Sequence, residues 1–290
     1  MQGNGKLTLP GLLVIVGVVG ILVIVLVPTL VTSPRATNRT ICMSNLSSIN
    51  KALIIYRGEN NGAWPWIANV TSDWSDVPVA TDRNRDPFKD PNAPGERSIT
   101  SLMFLLVRMN QSPGMFRCPS DKTSMVDLAP KAGTDDGDVL EGEYYWDFAN
   151  RRNVSFSWQG PIWKAGRFAQ GIDSAEPEAI IVADMSPKAV VPGWTAADVS
   201  KLSGRAVANQ NSPNHKGKQN NVLRVAGYVQ PQKRPDVGVD KDNIYTASGD
   251  PNAGSRAATS LDIRKHLSPR DTFLIGPVGG KPRPSAKSGQ

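Results

Sequence analysis

Histidine and cysteine, the residues that most often carry metal or redox chemistry, are scarce in this chain. The only histidines among 290 residues are His215 and His266, so a histidine-based metal cluster or triad has little material. The only cysteines are Cys42 and Cys118, with 75 residues between them and no histidine beside either. This spacing is not a zinc motif. A disulfide in an exported domain and two separate buried thiols both remain open.

Acidic charge is in deficit. Lys and Arg number 33 against 26 Asp and Glu, which gives a net charge of +7 and a pI near 9.5. The basic residues are dispersed except in the tail, at Lys281, Arg283 and Lys287. No recognition helix or aromatic–basic stripe accompanies them, so a solvated surface beside an anionic membrane is favoured and no nucleic-acid partner is expected.

Charge is absent altogether from Leu7 to Val31, a run of 25 residues. As a helix this run is ~37 Å long, enough to cross a hydrocarbon core of ~30 Å. A cleavable signal peptide has an apolar core of only ~7–15 residues and a small-residue cleavage site. Here Leu12–Val27 alone supplies 16 apolar residues without such a site. The run therefore predicts a retained single-pass anchor in membrane lipid.

The orientation of this anchor is not decided by its flanking charges. Lys6 lies on one side, and Arg35 and Arg39 lie on the other, so the positive-inside count is balanced. The short N-terminal flank and the chance of disulfide chemistry in the domain favour a cytoplasmic N-terminus. We therefore expect an inner-membrane protein whose C-terminal domain is periplasmic or otherwise extracytoplasmic.

The segment after the anchor is predicted to continue as an amphipathic helix, with a kink at Pro28 or Pro34. Apolar residues recur at spacings of three to five and draw one stripe. The stripe consists of Ile41, Leu46, Ile49, Leu53 and Ile54. The residues predicted on the opposite, polar side are Ser44, Asn45, Asn50 and Lys51. Asn60-Asn61-Gly62 is predicted to end the helix.

The rest of the chain predicts an α+β fold, in which the long N-terminal helix packs on an antiparallel sheet domain with long loops. A short helix is predicted over 99–108, a surface loop over 67–98 and an acidic loop within 122–143. The predicted strands are 143–148, 153–158, 179–184, 221–229 and 271–276. The predicted organisation is a leader-like flank (1–6), a transmembrane helix (7–31), its amphipathic continuation (32–62), a globular domain (63–276) and a disordered basic tail (277–290).

Several short motifs, in this order, resemble those of type IV pilin-like proteins and type II secretion pseudopilins, particularly a large planctomycete-type subgroup. The N-terminal motif is KLTLPGLLVI at residues 6–15. The later motifs are CMSNLSSI at 42–49, NNGAWP at 60–65, FRCPSD at 116–121, IVADMSP at 181–187, NSPNH at 211–215 and NVLRVAGYV at 221–229. The resemblance implies a non-catalytic structural or assembly subunit of a secretion or pilus-type envelope system.

The chain departs from the family pattern at informative positions. Lys6 stands where the family's cleavage site has a small residue, and Gly11 stands where a membrane-buried Glu pairs with the neighbouring subunit. Small residues let helices approach closely in membranes, so Gly11, Gly17 and Gly20 are candidate assembly contacts. The implied partners are other pilin-like subunits or further copies of this chain. A tip subunit and an anchored relative that never polymerises are both compatible with these departures.

One constellation has the residue types of a hydrolase. Asp184, Ser212 and His215 could align acid, nucleophile and base, but no nucleophile elbow surrounds Ser212. The alternative is structural, with Asn211, Asn214 and His215 hydrogen-bonding to hold a loop beside a strand near Asp184. The structural interpretation is favoured, and the protein is predicted not to be an enzyme.

Two further features carry weaker hypotheses. Asp240 and Asp242 could offer oxygen ligands to calcium, as could Asp135, Asp136 and Asp138, but neither group has the full calcium-loop pattern. Ordinary solvated turns are the alternative, and no other cofactor is expected. Three tryptophans could form a binding surface or pack in the core. They are Trp64, Trp66 and Trp74.

Two alternatives to the assembly role stay open. One is a membrane-tethered extracytoplasmic binding or sensor domain for a carbohydrate or an envelope protein. The other is an envelope hydrolase that uses Asp184 and His215.

Overall fold

The structure is a computed structural model. It describes residues 8–30, 34–65, 74–75, 97–123, 148, 151–160, 162–164, 167–169, 172, 176–187, 201–247, 256–257 and 274–275. Only the backbone is described for residues 23–30, 34–35, 74–75, 97–98, 151, 162–164, 167–169, 240, 246–247, 256–257 and 275.

Two helices in series open the described chain. Helix α1 spans Leu9–Leu30 and helix α2 spans Pro34–Glu59. Pro34 suits the first position of α2 because proline has no N–H to leave unpaired there. The predicted kink positions therefore fall inside α1 (Pro28) and at the start of α2. No helix formed by the residues whose side chains are described is long and apolar enough to cross a membrane.

The predicted end of the helix is confirmed. Asn61 and Gly62 follow α2 with φ values of 53° and 80°, and Gly62 N donates to Arg57 O over 2.8 Å. Asparagine and glycine tolerate this left-handed conformation, which satisfies carbonyls that the last turn would otherwise leave unpaired.

Helix α2 buries one face against the domain. The residues of this face are each no more than 1% exposed and are spaced four, three and four apart. They are Cys42, Leu46, Ile49 and Leu53. The predicted stripe was wrong at its ends, since Ile41 is 41% exposed and Ile54 is 60% exposed. Each lies one position away from the true stripe, which turns it by roughly 100° out of the interface.

The polar side of α2 was also partly mispredicted. Ser44 and Lys51 are exposed. By contrast, Asn45 donates through Nδ2 to Arg117 O over 2.6 Å, and Asn50 donates through Nδ2 to Gly227 O over 2.8 Å. Both amides flank the buried stripe and satisfy loop carbonyls of the domain, so they belong to the interface.

The strands are β1 (Trp74–Ser75), β2 (Arg97–Ser98), β3 (Phe156–Gln159), β4 (Ile162–Lys164), β5 (Arg167–Ala169), β6 (Ile180–Asp184), β7 (Asn220–Arg224), β8 (Val229–Gln232), β9 (Thr246–Ala247), β10 (Arg256–Ala257) and β11 (Leu274–Ile275). The main sheet has the order β11-β3-β6-β7-β8 and every neighbouring pair is antiparallel. Strands β4 and β5, and β9 and β10, form antiparallel pairs, whereas β1 and β2 pair in parallel.

The remaining helices are short. Helix α3 spans Ile99–Arg108 and α4 spans Gly204–Gln210. The 3-10 helices are Pro113–Phe116, Arg151–Asn153, Pro213–His215 and Val239–Lys241. Helices pack on a sheet whose neighbouring strands are all antiparallel, so the fold is α+β, as predicted.

The element predictions had mixed outcomes. The helix over 99–108 and the strand over 179–184 are confirmed by α3 and β6. The strand over 153–158 begins later, at Phe156, because a 3-10 helix precedes it. The strand over 221–229 was wrong. It is a hairpin of β7 and β8 whose turn contains Gly227 at φ 88°, a conformation that glycine adopts without steric cost.

Other predictions fall mainly on residues that the structure does not describe. The strand over 143–148 and the acidic loop within 122–143 lie largely outside the described residues, as does the tail over 277–290. Of the segment 67–98, predicted as a loop, the described part is β1 and β2. Of the strand over 271–276, the described part is β11.

Both faces of the sheet are covered. One core packs the buried face of α2 and the apolar side of α3 against the sheet, with Phe156, Trp158 and Leu223 among its members. A second, smaller core gathers Ile180 of β6, Val222 of β7 and Tyr245, which directly precedes β9. Strands β6 and β7 are buried at every position. A polar side chain on these two strands is therefore enclosed and needs a partner in the protein.

The turn that follows His215, the last residue of its 3-10 helix, provides a test of how this loop packs against α4. Gly217 has φ 70°, and a Cβ placed on it would lie 2.2 Å from Ala208 O in α4. We expect Gly217→Ala to lower the free energy of unfolding by about 2 kcal/mol or more, because backbone atoms must move and the conformation is strained. Urea unfolding followed by circular dichroism measures the change.

The matched control is Gly58→Ala in α2, where an added Cβ meets no atom within 4 Å. Alanine is the better helix former, so this variant should be unchanged or more stable by up to about 1 kcal/mol. Equal stability of the Gly217→Ala variant and the wild type would contradict the described approach of the turn to α4.

Candidate functional site

Four chemistry-bearing side chains from distant parts of the chain meet in one buried cluster. They are Cys42, Cys118, Asp184 and His215, and one ligand atom from each lies within 4.8 Å of the others. Cys42 comes from the buried face of α2, and Asp184 ends β6. Cys118 follows the 3-10 helix that ends at Phe116, and His215 ends the 3-10 helix that Pro213 begins. We call this set the Cys–Asp–His cluster.

The two cysteines form a disulfide. Their sulfur atoms are 2.02 Å apart and their Cα atoms 5.2 Å apart. The bond joins α2 to the loop after the first 3-10 helix, next to Asn45, which donates to Arg117 O. Both cysteines are fully buried members of the larger core, so the bond links the N-terminal helix to the domain from inside.

Asp184 and His215 form a buried acid–imidazole pair. His215 Nε2 lies 3.1 Å from Asp184 Oδ2, and the two side chains are 1% and 0% exposed. The same Oδ2 accepts from Asn221 N on the neighbouring strand over 2.7 Å. A carboxylate at this depth is costly unless it has polar partners, and these two contacts supply them for one of its two oxygens.

Three neighbouring atoms determine which hydrogen bonds His215 Nε2 can make. Besides Asp184 Oδ2, Nε2 faces the side-chain amide of Asn221 at 2.9 Å and Cys118 Sγ at 3.9 Å. A half-turn of the Asn221 amide places its oxygen there. One proton on Nε2 then serves both oxygen acceptors, and the Gln219 amide, which contacts Asn221 at 3.0 Å, can turn with it.

Two polar atoms of the pair remain unused within the described residues. Asp184 Oδ1 and His215 Nδ1 are buried and have no hydrogen-bond partner there. Buried side-chain atoms of this kind are uncommon, and each requires an explanation. The tautomer of His215 is therefore not fixed by any contact to Nδ1 in the described part of the protein.

Asparagines hold the loop that carries His215 beside β7. Asn220 donates to Asn211 Oδ1 over 2.7 Å, and Asn211 donates to Gly217 O and Lys233 O over 2.9 and 2.8 Å. Asn214 donates to Ser155 O over 2.8 Å. In this geometry Asn211 and Asn214 position a loop against neighbouring backbone.

The serine of the candidate triad takes no part in a relay. Ser212 Oγ accepts from Asn214 N over 3.2 Å, as a cap of the 3-10 helix. His215 directs Nε2 to the carboxylate, and its other ring nitrogen has no partner among the described residues. A triad needs the serine hydroxyl on that second nitrogen. Asp184 and His215 are therefore brought together, but Ser212 is not joined to them.

The other sequence candidates are located as follows. Asp242 is buried and takes no part in the Cys–Asp–His cluster, while the side chain of Asp240 and residues 135–138 lie outside the described residues. Trp64 packs in the core, with the Arg57 guanidinium 4.4 Å above its ring. The side chains of Trp66 and Trp74 lie outside the described residues.

The three glycines of the candidate helix contact lie on α1. A Cβ at Gly17 or Gly20 meets no atom within 4 Å, and at Gly11 it would lie 3.3 Å from Thr8 Oγ1. Within the chain, the described structure therefore gives Gly17 and Gly20 no steric reason to be glycine.

A cleft of about 560 Å³ adjoins the Cys–Asp–His cluster and was not predicted. Among the described residues its lining includes His215, four cationic side chains and one carboxylate, Asp121, which accepts from Thr123 and Ser155. The cations are Arg39, Lys122, Lys216 and Lys218. They come from three separate segments, so the basic character of this cleft is a product of the fold.

The cluster itself was only half anticipated. The disulfide pair and the Asp184–His215 pair were treated as separate features, yet they share one site. A signal was present, because each of the four residues lies inside or beside one of the short motifs that carry the pseudopilin resemblance. Asn221 and Tyr245, which complete the surroundings of Asp184, were not singled out.

Tyr245 connects this site to the second core. Its hydroxyl lies 2.9 Å from Asp184 O, to which it donates, and 3.2 Å from Asn220 Oδ1. Burial, and next the negative charge of Asp184, raise the pKa of Tyr245 well above its ordinary value. Folding therefore favours the protonated phenol.

This raised pKa has a measurable consequence at alkaline pH. The unfolded chain loses the Tyr245 proton near pH 10 while the folded chain keeps it, so the contribution of Tyr245 is complete below that pH and declines above it. We expect the free energy of unfolding to fall by up to about 1.4 kcal/mol per pH unit above pH 10 from this residue. Tyr245→Phe should remove that part of the slope.

Urea titrations of both proteins at pH 8 and at several values above pH 10 measure the slope. Tyr228→Phe is the comparison, since Tyr228 is 39% exposed and its hydroxyl donates to the Glu178 carboxylate. Burial and this hydrogen bond also raise the pKa of Tyr228, but less than that of Tyr245, so Tyr228→Phe should remove a smaller part of the slope. An alkaline slope that Tyr245→Phe leaves unchanged would contradict the enclosed position of the phenol.

Comparison with known proteins found no match. No family model, no curated protein and no solved structure matches this chain.

Proposed function

We propose that this protein is a membrane-anchored, pseudopilin-like structural or assembly subunit without catalytic activity. In this proposal the N-terminus is cytoplasmic, α1 spans the inner membrane, and the domain stands on the extracytoplasmic side. The observation that carries the proposal is the contrast between α1, which exposes apolar side chains all round, and α2, which buries one face in the domain.

The exposure of α1 extends over its whole circumference. Five consecutive residues, 12–16, are between 49% and 66% exposed and all are Leu, Val or Ile. Five positions exceed one turn of a helix with about 3.6 residues per turn. A helix that is apolar on every side is stable when lipid or other helices surround it. The proposed surroundings are membrane lipid and, in an assembly, the α1 helices of neighbouring subunits.

The length of α1 is compatible with this role. Its backbone is helical over 22 residues from Leu9 to Leu30, which corresponds to ~33 Å against a hydrocarbon thickness of ~30 Å. No charged residue occurs between Leu7 and Val31. All backbone polar groups of a spanning helix pair within the helix, so such a segment can cross lipid.

The arrangement of α2 supports the resemblance to pseudopilins. An apolar helix is followed by an amphipathic helix, and the latter packs with its Cys42–Leu53 face on an antiparallel sheet. We propose that these are the transmembrane and amphipathic halves of the long N-terminal helix predicted from the sequence. A non-catalytic role is further supported by Ser212, whose hydroxyl serves as a helix cap.

A second candidate function is favoured by the basic cleft beside His215. A tethered binding domain would use this cleft, with Arg39 and Lys216 among its cations, to hold an anionic carbohydrate or an acidic segment of an envelope protein. The two functions differ in what they require of α1: assembly needs its surface, whereas tethered binding needs only its hydrophobicity.

The first experiment is intact mass with N-terminal sequencing of the protein purified from its native membrane. We expect membrane retention after alkaline carbonate washing, because an apolar helix partitions into lipid. A start at Leu7 would support entry into the pilin pathway, and a start at Met1 would support a permanent anchor. A start near residue 36 would refute the anchor.

The assembly role predicts sensitivity to side chains on α1. We expect Gly17→Leu and Gly20→Leu to weaken self-association in membranes by at least tenfold while the protein stays anchored, since Cβ atoms there meet no atom of the described residues within 4 Å. Cross-linking yield or energy transfer between labelled copies in vesicles measures association. The matched control is Val18→Leu, which adds one methylene to a residue that is already large.

Unchanged self-association of both glycine variants would show that Gly17 and Gly20 are not assembly contacts. If the glycine variants bind a ligand as well as the wild-type protein does, and the wild-type protein shows no detectable self-association, the tethered binding domain is favoured.

A further inference from the structure

We propose that the Cys–Asp–His cluster is a zinc site when its disulfide is reduced, so that a disulfide and a bound zinc ion are alternative states of the same four residues. This goes beyond the assembly role and does not depend on it. The inference rests on the geometry of Cys42, Cys118, Asp184 and His215.

The donor set is one that zinc prefers. Two thiolates, one imidazole nitrogen and one carboxylate oxygen make four ligands of the types found in tetrahedral zinc sites. All four residues are buried and their ligand atoms lie within 4.8 Å of one another. Structural zinc sites are closed in this way, with no position left for water.

Two of the distances between donor atoms are already close to those of a tetrahedral zinc site. With Zn–N and Zn–O bonds of ~2.0–2.1 Å, tetrahedral geometry places nitrogen and oxygen ~3.3 Å apart. His215 Nε2 and Asp184 Oδ2 are already 3.1 Å apart. The corresponding N–S separation is ~3.6 Å, against 3.9 Å between His215 Nε2 and Cys118 Sγ.

The sulfur atoms need the larger change. Two thiolates on one zinc lie ~3.8 Å apart, so opening the bond must separate Sγ of Cys42 from Sγ of Cys118 by ~1.8 Å relative to the 2.02 Å seen here. Rotation about χ1 of either cysteine moves a sulfur atom by this much without backbone movement.

One outer contact of the site is also in place. Metal-ligating side chains are oriented by a second layer of hydrogen bonds, and Asn221 N already donates to Asp184 Oδ2 over 2.7 Å. Asp184 Oδ1 has no partner within the described residues and is free to approach an ion. With zinc on Nε2 the ring proton of His215 lies on Nδ1, which has no partner within those residues.

The chemistry balances with a dithiol reductant. The two thiols of the reductant become a disulfide, and Cys42 and Cys118 each take up one electron and one proton as the bond between them breaks. Zinc then displaces both thiol protons, which pass to solvent, while His215 coordinates as neutral imidazole and Asp184 as carboxylate. Metal binding is accordingly favoured by rising pH, since protons are released.

The test uses the full chain purified in detergent, with the disulfide either intact or reduced by a trialkylphosphine and verified as two titratable thiols. Co²⁺ is the probe because it occupies zinc sites and absorbs visibly in tetrahedral coordination. We expect one Co²⁺ per reduced chain, with a sulfur-to-cobalt charge-transfer band that Zn²⁺ abolishes, and no such band for the disulfide form.

Asp184→Asn tests the assignment of the carboxylate, since the amide still accepts from Asn221 N. We expect it to weaken Co²⁺ binding by at least tenfold, the lower end of what even outer-layer changes cost. Asp121→Asn is the matched control, a second buried aspartate whose partners are Thr123 and Ser155, and it should bind Co²⁺ as the wild type does.

Every other outcome of these measurements either supports or overturns the proposed zinc site. A reduced chain that keeps its far-UV circular dichroism but gives no thiolate–cobalt band overturns it, as does equal binding by the Asp184→Asn variant. If reduction unfolds the domain, recovery of the fold on adding Zn²⁺ supports the site, and failure to recover refutes it.

Discussion

The packing of one face of α2 against the sheet is the constraint on which the rest of this structure depends. That face is apolar at intervals of four, three and four residues, and its first member is Cys42. The disulfide to Cys118 closes a sequence separation of 76 residues. In the chain-entropy view such a closure stabilises the fold by roughly 4 kcal/mol. The helix, the first core and the cross-link therefore reinforce one another.

Covering the sheet on both faces has a second effect, which is to enclose polar groups at the ends of its central strands. Asp184 at the end of β6 meets the backbone of Asn221 on β7, and it meets His215 from a loop that Asn211 and Asn220 hold in place. Buried polar groups of this kind are stable when they satisfy one another. Asp184 Oδ1 and His215 Nδ1 have no partner among the described residues, whereas the proposed ion would lie against Asp184 Oδ2 and His215 Nε2.

The two proposals concern separate parts of the molecule. Anchoring and assembly depend on α1, whose apolar side chains the described domain does not cover, and they would survive loss of the Cys–Asp–His cluster. The zinc site depends on α2, β6 and the loop that ends at His215. It would connect the hold of the domain on α2 to the redox state of its surroundings, because the same cysteine takes part in both.

How much the sequence determined differs from element to element. The apolar run of α1, the stop at Asn61-Gly62 and the buried strand before Asp184 follow from local composition, because helix propensity, turn conformation and burial on both faces leave direct marks in the sequence. The phase of the stripe on α2, the break at Gly227 and the meeting of the cysteine and Asp–His pairs were decided by tertiary structure. Each depends on which distant segment packs opposite, and no local pattern encodes that choice.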